Sequence, residues 1–576
     1  MSKLPLLFVG ACALLPACGG GGNKSPDGGD ANGDVNIGPP PEMDDDFPLP
    51  LQPGMAPTPP MGWNSWNKFQ CNITEDFIKR TADAMVSLGM KDVGYQYINI
   101  DDCWSVTSAA RDANGALQPD PNKFPNGIKA LADYVHGKGL KLGIYGDRGS
   151  ETCGHRAGSQ GFEAQDAMTF ASWGVDYVKW DNCASKPELI QQQYQLMRDE
   201  LEASGRPMVF SVCAWSFYEW AIRAGHLQRT TTDIRDTWIA AAGSTDSGSI
   251  MTSLKTNRGF AAYGGPNHWN DPDMLEVGNS DNGIGPVTAT EYQSHFSLWA
   301  ITAAPLIAGN DLRSMTDTTK AILTNAEIIA INQDALGLQG VQLRDAEQSV
   351  WTKPLNENGA RAVVLFNEGA VAADITVTFT DIGLAGGSAK VRDLQAHADL
   401  GTFRNSYTAS VPSHGTATLK VIGSEPPRPR GTAFLSELTP IYAANGLGPV
   451  ERDLSNGGAD PGDGVPIKIG GTTYAKGLGM SAPSAAIYRL GGKCTRFTAS
   501  VGLDATSSGG AGTVRFQAFA DGDMLFDSAT MTGNASMSVD VSLVGKRRLK
   551  LLVTNAEDGS ALDRASWGDA KVECEP

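Results

Sequence analysis

Short β-rich apolar runs alternate with stretches of helical periodicity through the first large part of this chain, and the runs end in carboxylates. Tyr95 to Ile100, Leu140 to Tyr145, Val175 to Trp180 and Met208 to Val212 read as strands, whereas Thr74 to Leu88, Gly127 to His136, Glu163 to Trp173 and Pro187 to Ala203 carry apolar residues at helical spacing. Strand followed by helix calls for a parallel sheet with outer helices, and about 280 residues of it suits an eight-stranded barrel better than an open sheet. The α/β expectation is therefore a (β/α)8 TIM barrel over residues 57–334.

In such a barrel the residues just after each strand open onto one face, where active sites form. Asp101 and Asp102 follow Ile100, Asp147 follows Gly146, Asp181 follows Trp180, Asp233 follows a Thr run, and Asp271 and Asp273 follow Trp269-Asn270. Any one of them reads equally as a helix cap or turn acid. Their recurrence predicts convergence. Within Val178-Lys179-Trp180-Asp181 the period of two places Lys179 and Asp181 on one face, aimed into the mouth. There Lys179 would favour an ionised, nucleophilic Asp181, unless the two merely close the core as a salt bridge. Trp63, Trp66, Trp104, Tyr145, Trp180 and Trp215 suit stacking on the apolar face of a sugar, with core packing as the alternative for each.

The rest of the composition bounds partners and location. Forty-six Lys and Arg against 64 Asp and Glu give a net charge of −18, which repels nucleic acid. Lys3 precedes an apolar run from Leu4 to Leu15, signal-peptide in length and too short to span a bilayer. The following Leu15-Pro16-Ala17-Cys18-Gly19 resembles a bacterial lipoprotein box, so residues 1–18 read as a lipoprotein-type signal with Cys18 lipidated; an ordinary secretory signal is the alternative. Residues 19–56, with seven acids and one lysine among glycines and prolines, read as a flexible tether from the cell envelope. Export exposes the remaining cysteines to oxidation, and Cys494 and Cys574 bracket the last domain as candidates for a disulfide. No Cys-x-x-Cys or His-x-x-x-His spacing occurs. Neither a metal nor another cofactor is called for.

Six motifs then carry a resemblance. Met61-Gly62-Trp63-Asn64-Ser65-Trp66, Asp101-Asp102-Cys103-Trp104, Gly143-Ile144-Tyr145-Gly146-Asp147, Lys179-Trp180-Asp181-Asn182-Cys183, Asp233-Ile234-Arg235-Asp236-Thr237-Trp238 and Trp269-Asn270-Asp271-Pro272-Asp273-Met274 stand in order. Together they resemble the α-galactosidases of glycoside hydrolase family 27. The likeness continues through Ala330 to Asp334 into residues 335–423, similar to that family's antiparallel β-sandwich. It implies that Asp181 is the nucleophile and Asp233 the acid/base, and that Trp66, Asp101, Asp102, Tyr145, Lys179, Arg229 and Asp273 line a sugar pocket. Asp101 and Asp102 would accept hydrogen bonds from O4 and O6. Cys71 with Cys103, and Cys153 with Cys183, match the family's disulfides, while Cys213 lacks its usual partner because Gly225 stands in that place.

One departure concerns Ala214, where the family's α-galactosidases usually carry a Glu that contacts the 2-hydroxyl. A small residue there resembles the α-N-acetylgalactosaminidases, but those also have a small residue where Phe217 stands, and a phenyl ring would refill the space. Beyond a Pro-rich linker, residues 424–431, the motifs Phe434-Leu435-Ser436, Ser455-Asn456-Gly457-Gly458 and Ala475-Lys476-Gly477-Leu478-Gly479 resemble an NPCBM carbohydrate-binding module over residues 432–576. Its sandwich would bind a glycan, or serve only for stability. The resemblance implies a retaining exo-α-galactosidase that hydrolyses terminal α-D-galactosyl residues. Alternatives are an α-N-acetylgalactosaminidase and a noncatalytic lipoprotein that binds carbohydrate.

Overall fold

The computed structural model describes residues 54–107, 111–240, 248–280, 287–344, 346–504, 512–556, 559 and 562–576. The signal, Cys18 and the tether as far as residue 53 lie outside the described residues. Eight strands, β1 (Met61–Asn64), β2 (Tyr97–Ile100), β3 (Lys141–Asp147), β4 (Tyr177–Asp181), β5 (Val209–Val212), β6 (Leu227–Arg229), β7 (Trp269–Asp271) and β8 (Leu306–Ala308), pair in parallel in the order β7-β6-β5-β4-β3-β2-β1-β8. The ring closes just past β7, where Leu275 bridges Ala308 in parallel and its N–H donates to the Ile307 carbonyl at 2.8 Å. This is the barrel that the sequence pattern implies.

Alternation sorts its side chains. Outward-facing Ile98, Ile144, Val178, Trp180 and Phe210 join the helices in the main core. Inward-facing Tyr97, Tyr177, Val209, Leu227 and Trp269 plug the bottom of the barrel together with Ala56 and Ala303. Residues 54–56 therefore belong to the fold rather than to the tether: Trp269 Nε1 donates to the Ala56 carbonyl at 2.9 Å, and the Gly54 N–H donates to Asn267 Oδ1 at 3.0 Å. Above this apolar plug the inward positions turn polar. The acids sit at the opposite, open end.

The antiparallel domain has a six-stranded sheet and a two-stranded sheet. Its strand Ala360–Asn367 is buried throughout because alternate residues serve two cores. Ala362, Val364 and Phe366 face the barrel, while Val363 and Leu365 face the domain's own interior. The barrel helix Ala289–Ile301 lies against this sheet and is buried on nearly every side, which explains its lack of a polar face. A capping box between Thr288 and Glu291 starts it.

The C-terminal module is an antiparallel β-sandwich with its own core around Phe497, Phe516 and Trp567. It does not swing on its connection. Barrel residues Ala261 and Ala262 pack with Tyr442, Ala485, Ile487 and Leu552 of the module. Tyr442 donates its hydroxyl to the Gln339 carbonyl at 3.0 Å, and Tyr263 donates to Asn555 Oδ1 at 3.2 Å. The Pro-rich connection is pinned as well, since Glu425 accepts from the buried Arg361 at 3.0 Å and from the Gly359 N–H at 2.8 Å. Barrel, β domain and module form one compact unit.

Candidate active site

Strand register assembles the site in rows. Tyr145 on β3 pairs with Lys179 on β4, which pairs with Ser211 on β5; one step higher, Asp147 lies beside Asp181, and Arg229 on β6 lies beside Asp271 on β7. All point inward at the end where the strands finish. Asp101 accepts Lys179 Nζ at 2.8 Å and Asn64 Nδ2 at 2.7 Å on the same oxygen. The hydrogen-bonded ion pair of Lys179 is with Asp101, and its charge acts on Asp181 across space, in the expected direction. Asp102 is held from three sides, by Thr152 Oγ1 at 3.0 Å and by the N–H groups of Cys103 and Gly154 at 2.6 Å each. A Cβ at Gly154 would stand 2.8 Å from the Cys103 sulfur and 2.9 Å from the Asp102 carboxylate, so only glycine permits this approach.

On the far side, one nitrogen of Arg229, Nη2, donates to Asp273 at 2.8 Å and to Asp233 at 3.1 Å. Asp273 also accepts from the Ile234 N–H at 2.8 Å, which ties the loop after β6 to the loop after β7. Tyr145 is fully enclosed, its ring 5.2 Å from Lys179 Nζ, and its hydroxyl has no hydrogen-bond partner among the described residues. Backbone strain concentrates here: Cys103, Trp215 and Asp273 adopt φ of 69°, 57° and 86°, each in the left-handed region and just past a strand.

The aromatics divide. Trp66, the first residue of a short helix after β1, and Trp215 after β5 are half-buried at the rim. Trp63, Trp104 and Trp180 instead face the core, with Trp63 and Trp180 0% exposed, because alternation puts them on the outer side of their strands or under the next loop. They cannot stack on a ligand in the mouth. The disulfides join Cys71 to Cys103 and Cys153 to Cys183, tying the rim loops after β1 to β2 and β3 to β4, and Cys494 to Cys574 in the module. Cys213 is free and buried. Among the described residues the grouping close enough to share an ion is Asp147, Cys153 and Cys183, and both sulfurs are already used in a disulfide.

Burial dominates the electrostatics. It raises Asp181 to about 6 even though Lys179 pulls the other way, and with the neighbouring Asp181 charge it lifts Asp147 to about 8. Asp271 is pushed up to about 6 for the same reason. Loss of hydration would lower Lys179, but Asp101 together with Asp181, Asp233 and Cys213 outweighs this and keeps its ammonium well above the usual range. Asp233 is the exception. Partial dehydration would raise it, yet Arg229 and then Lys179 hold its carboxyl below the usual carboxylate range.

Residues 58–334 match the family described as alpha galactosidase A, residues 345–421 its C-terminal beta sandwich domain, and residues 431–573 the NPCBM/NEW2 domain. An alpha-galactosidase of Cyamopsis tetragonoloba is 48% identical over 368 residues, which is 63% of this chain and 85% of that protein. The chain belongs to the α-galactosidase family, glycoside hydrolase family 27. Alpha-galactosidase A of Cellvibrio japonicus is 46% identical over 383 residues, covering 64% of this chain and 92% of that one. The crystal structure of alpha-galactosidase I from Mortierella vinacea superposes with a TM-score of 0.61 at 38% identity, over 65% of this chain and 99% of that chain. The chain is thus a glycoside hydrolase with a carbohydrate-binding module, which excludes the noncatalytic alternative.

Some supporting groups of this family 27 site carry no sequence signal. Thr152 is an unremarkable threonine until the fold brings it to Asp102. Glu276, 1% exposed and raised to about 8 chiefly by burial, accepts from Asn67 and Asn279 at 2.5 Å each and so fixes the residue next to Trp66. Phe217 does not stand loose beside Ala214: its ring stacks flat on Phe260 at 4.2 Å and on Tyr263 at 4.8 Å.

Proposed function

We propose that this hydrolase removes terminal α-D-galactosyl residues with net retention, from oligosaccharides, polysaccharides or glycoconjugates. Asp181 attacks the anomeric carbon as the bond to the aglycone oxygen breaks, and Asp233 gives that oxygen its proton. Water then attacks the glycosyl-Asp181 ester, Asp233 takes the water proton, and Asp181 leaves as a carboxylate. Two inversions give retention, for which the two carboxyls belong about 5 to 5.5 Å apart. Asp101 and Asp102 would receive O4 and O6. Trp66 would cover the apolar face of the sugar, and Tyr145, Lys179, Arg229 and Asp273 would complete the pocket. The observation that carries this reading is the convergence of these acids, with Lys179 and Arg229, on one barrel mouth in a chain whose α-galactosidase relatives match it across most of their length.

A panel of aryl α-glycosides, with the β-L-arabinopyranoside added, tests the substrate. NMR of the first product before mutarotation tests the stereochemistry, and an inverted product would overturn the assignment. Asp181→Ala should be nearly inactive, and azide should partly rescue Asp233→Ala. The second reading, an α-N-acetylgalactosaminidase, draws on Ala214, a buried methyl, and on the Phe217 ring, which is committed to its stack on Phe260.

We also propose that the enzyme is exported and held at a bacterial cell envelope through a lipid on Cys18. Cys18→Ser should move activity from the membrane pellet to the soluble fraction. In this reading the module adds glycan affinity to the assembled enzyme.

A further inference from the structure

Asp233 differs from the other proposed reacting group in how it is held. Asp181 ends a barrel strand, whereas Asp233 lies four residues beyond β6, on a loop, with its side chain 65% exposed. A carboxyl that must meet a leaving oxygen has to be held to about half an ångström, and loops need outside support for that. The support comes from the five residues that follow. The Ile234 N–H donates to Asp273 Oδ2 at 2.8 Å and the Arg235 N–H to the Gly248 carbonyl at 2.6 Å. Asp236 accepts the Tyr292 hydroxyl at 2.8 Å, as well as the hydroxyl of Ser280. Trp238, 5% exposed, then plugs into the antiparallel domain: His414 stacks on its face at 5.7 Å and 28°, and Phe366 meets it edge-on at 6.1 Å and 84°.

His414 is itself fixed on three sides. It occupies the tight turn between strands Ser406–Val411 and Thr416–Ile422 with a left-handed φ of 56°, a region that His and Asn enter more readily than most residues other than glycine. Its Nδ1 lies 2.7 Å from Glu291 Oε1, its carbonyl accepts Ser294 Oγ at 2.7 Å, and its ring lies against Trp238. Both Glu291 and Ser294 are on the barrel helix Ala289–Ile301. Through these two contacts the turn of the antiparallel domain is tied to the barrel.

We propose that His414 is a positioning residue for Asp233: through Trp238, the antiparallel domain sets where the acid/base carboxyl stands. This rests on the assignment of Asp233 as acid/base made above. Losing the His414 ring would let the loop drift and impair proton delivery, while leaving Asp181 and the sugar contacts in place. The loss should therefore depend on how much the aglycone needs a proton.

The test compares kcat/KM, which reports steps through glycosyl transfer, for methyl α-galactoside and for 2,4-dinitrophenyl α-galactoside, whose phenolate departs unassisted. His414→Asn removes the ring while keeping a residue that tolerates the left-handed backbone. The expected result is a fall of about 10²-fold on the methyl glycoside and less than about threefold on the dinitrophenyl glycoside, since small misplacements of a catalytic group carry losses of that order. Trp238→Phe, which keeps an apolar plug, should show the same pattern more weakly, and His414→Phe, which keeps a ring against Trp238 but loses the contact with Glu291, should fall on the methyl glycoside by less than His414→Asn. Equal losses on the two substrates, or none, in a folded His414→Asn enzyme would overturn the proposal. Asp233→Asn is run alongside. If it lacks the leaving-group pattern, the acid/base assignment fails; if it shows the pattern and His414→Asn does not, only the role of His414 fails.

Discussion

Arg229 is shared between Asp273 and Asp233, at 2.8 and 3.1 Å from a single nitrogen. The buried Asp273 fixes the guanidinium, and the guanidinium then acts on the exposed Asp233 as a fixed positive charge. This orders the two proposed reacting acids in an unexpected sense. Burial lifts Asp181 to about 6, whereas Arg229 and Lys179 outweigh lost hydration and keep Asp233 below the usual range. In the free enzyme a single shared proton prefers Asp181, but the reaction needs it on Asp233.

The pH profile follows from that order. Productive enzyme carries one proton on the pair, so kcat/KM should be greatest between the two apparent pKa values of the dyad. Going up in pH, the single proton is lost near 6 and activity should fall; going down, a second proton occupies Asp233 while Asp181 keeps its own, no ionised nucleophile is left, and activity should fall again. Measured kcat/KM against pH should place the alkaline limb near 6. An alkaline limb above pH 8 would show that the proton resides elsewhere.

Tyr145 separates function from stability. Its buried hydroxyl has no partner among the described residues, and such a group costs the fold about 1 to 3 kcal/mol. Removing it should therefore leave thermal stability unchanged or improved. If the hydroxyl meets the sugar or Asp181 during reaction, Tyr145→Phe should nonetheless lower kcat/KM by about 10- to 100-fold. Calorimetry and kinetics on the same preparation check both halves, and a variant with wild-type kinetics removes Tyr145 from the site.

What the sequence shows and hides can be seen residue by residue. Lys179 and Asp181 were legible because strand alternation is strict and a polar pair at a strand's end has few places to go. Alternation also disposes of Trp63 and Trp180, since it puts their rings on the outer side. The partner of Lys179 was not legible, because Asp101 and Asp181 are both within reach and only the register of β2, β3 and β4 decides between them. Hidden most completely is contact between domains. Ala261, Ala262 and Ala485 carry no pattern that announces an interface, and the prolines of residues 424–431 read as a free linker although Glu425 is bound to the buried Arg361.

That contact changes the expected effect of truncation. An independent module behind a flexible linker could be removed without consequence for the barrel. Here, deleting residues 424–576 would expose Ala261 and Ala262, leave Arg361 without Glu425, and release the Gln339 carbonyl from Tyr442. Unpairing a buried charge is costly, about 3 to 5 kcal/mol. The truncated protein should melt several degrees lower, and its turnover of a small aryl galactoside should decay faster on warming. An unchanged melting curve for the remaining barrel would mean that the packing seen here contributes nothing.

Ala214 decides between the two substrate readings. It lies two residues past the end of β5, next to Cys213, whose buried sulfur receives Arg229 Nη1 at 3.6 Å, and it stands where the family's α-galactosidases usually carry Glu. A Glu would offer the 2-hydroxyl of galactose a charge-assisted hydrogen bond worth about 1 to 3 kcal/mol, or roughly 5- to 150-fold in affinity. It would also occupy the room that a 2-acetamido group needs. Ala214→Glu should then lower KM for the aryl α-galactoside by about tenfold with little change in kcat, and abolish any turnover of the α-N-acetylgalactosaminide. Parallel kinetics on the two glycosides give the answer. If wild type prefers the N-acetylgalactosaminide and the substitution reverses that order, the natural substrate carries the acetamido group and the galactose reading is replaced.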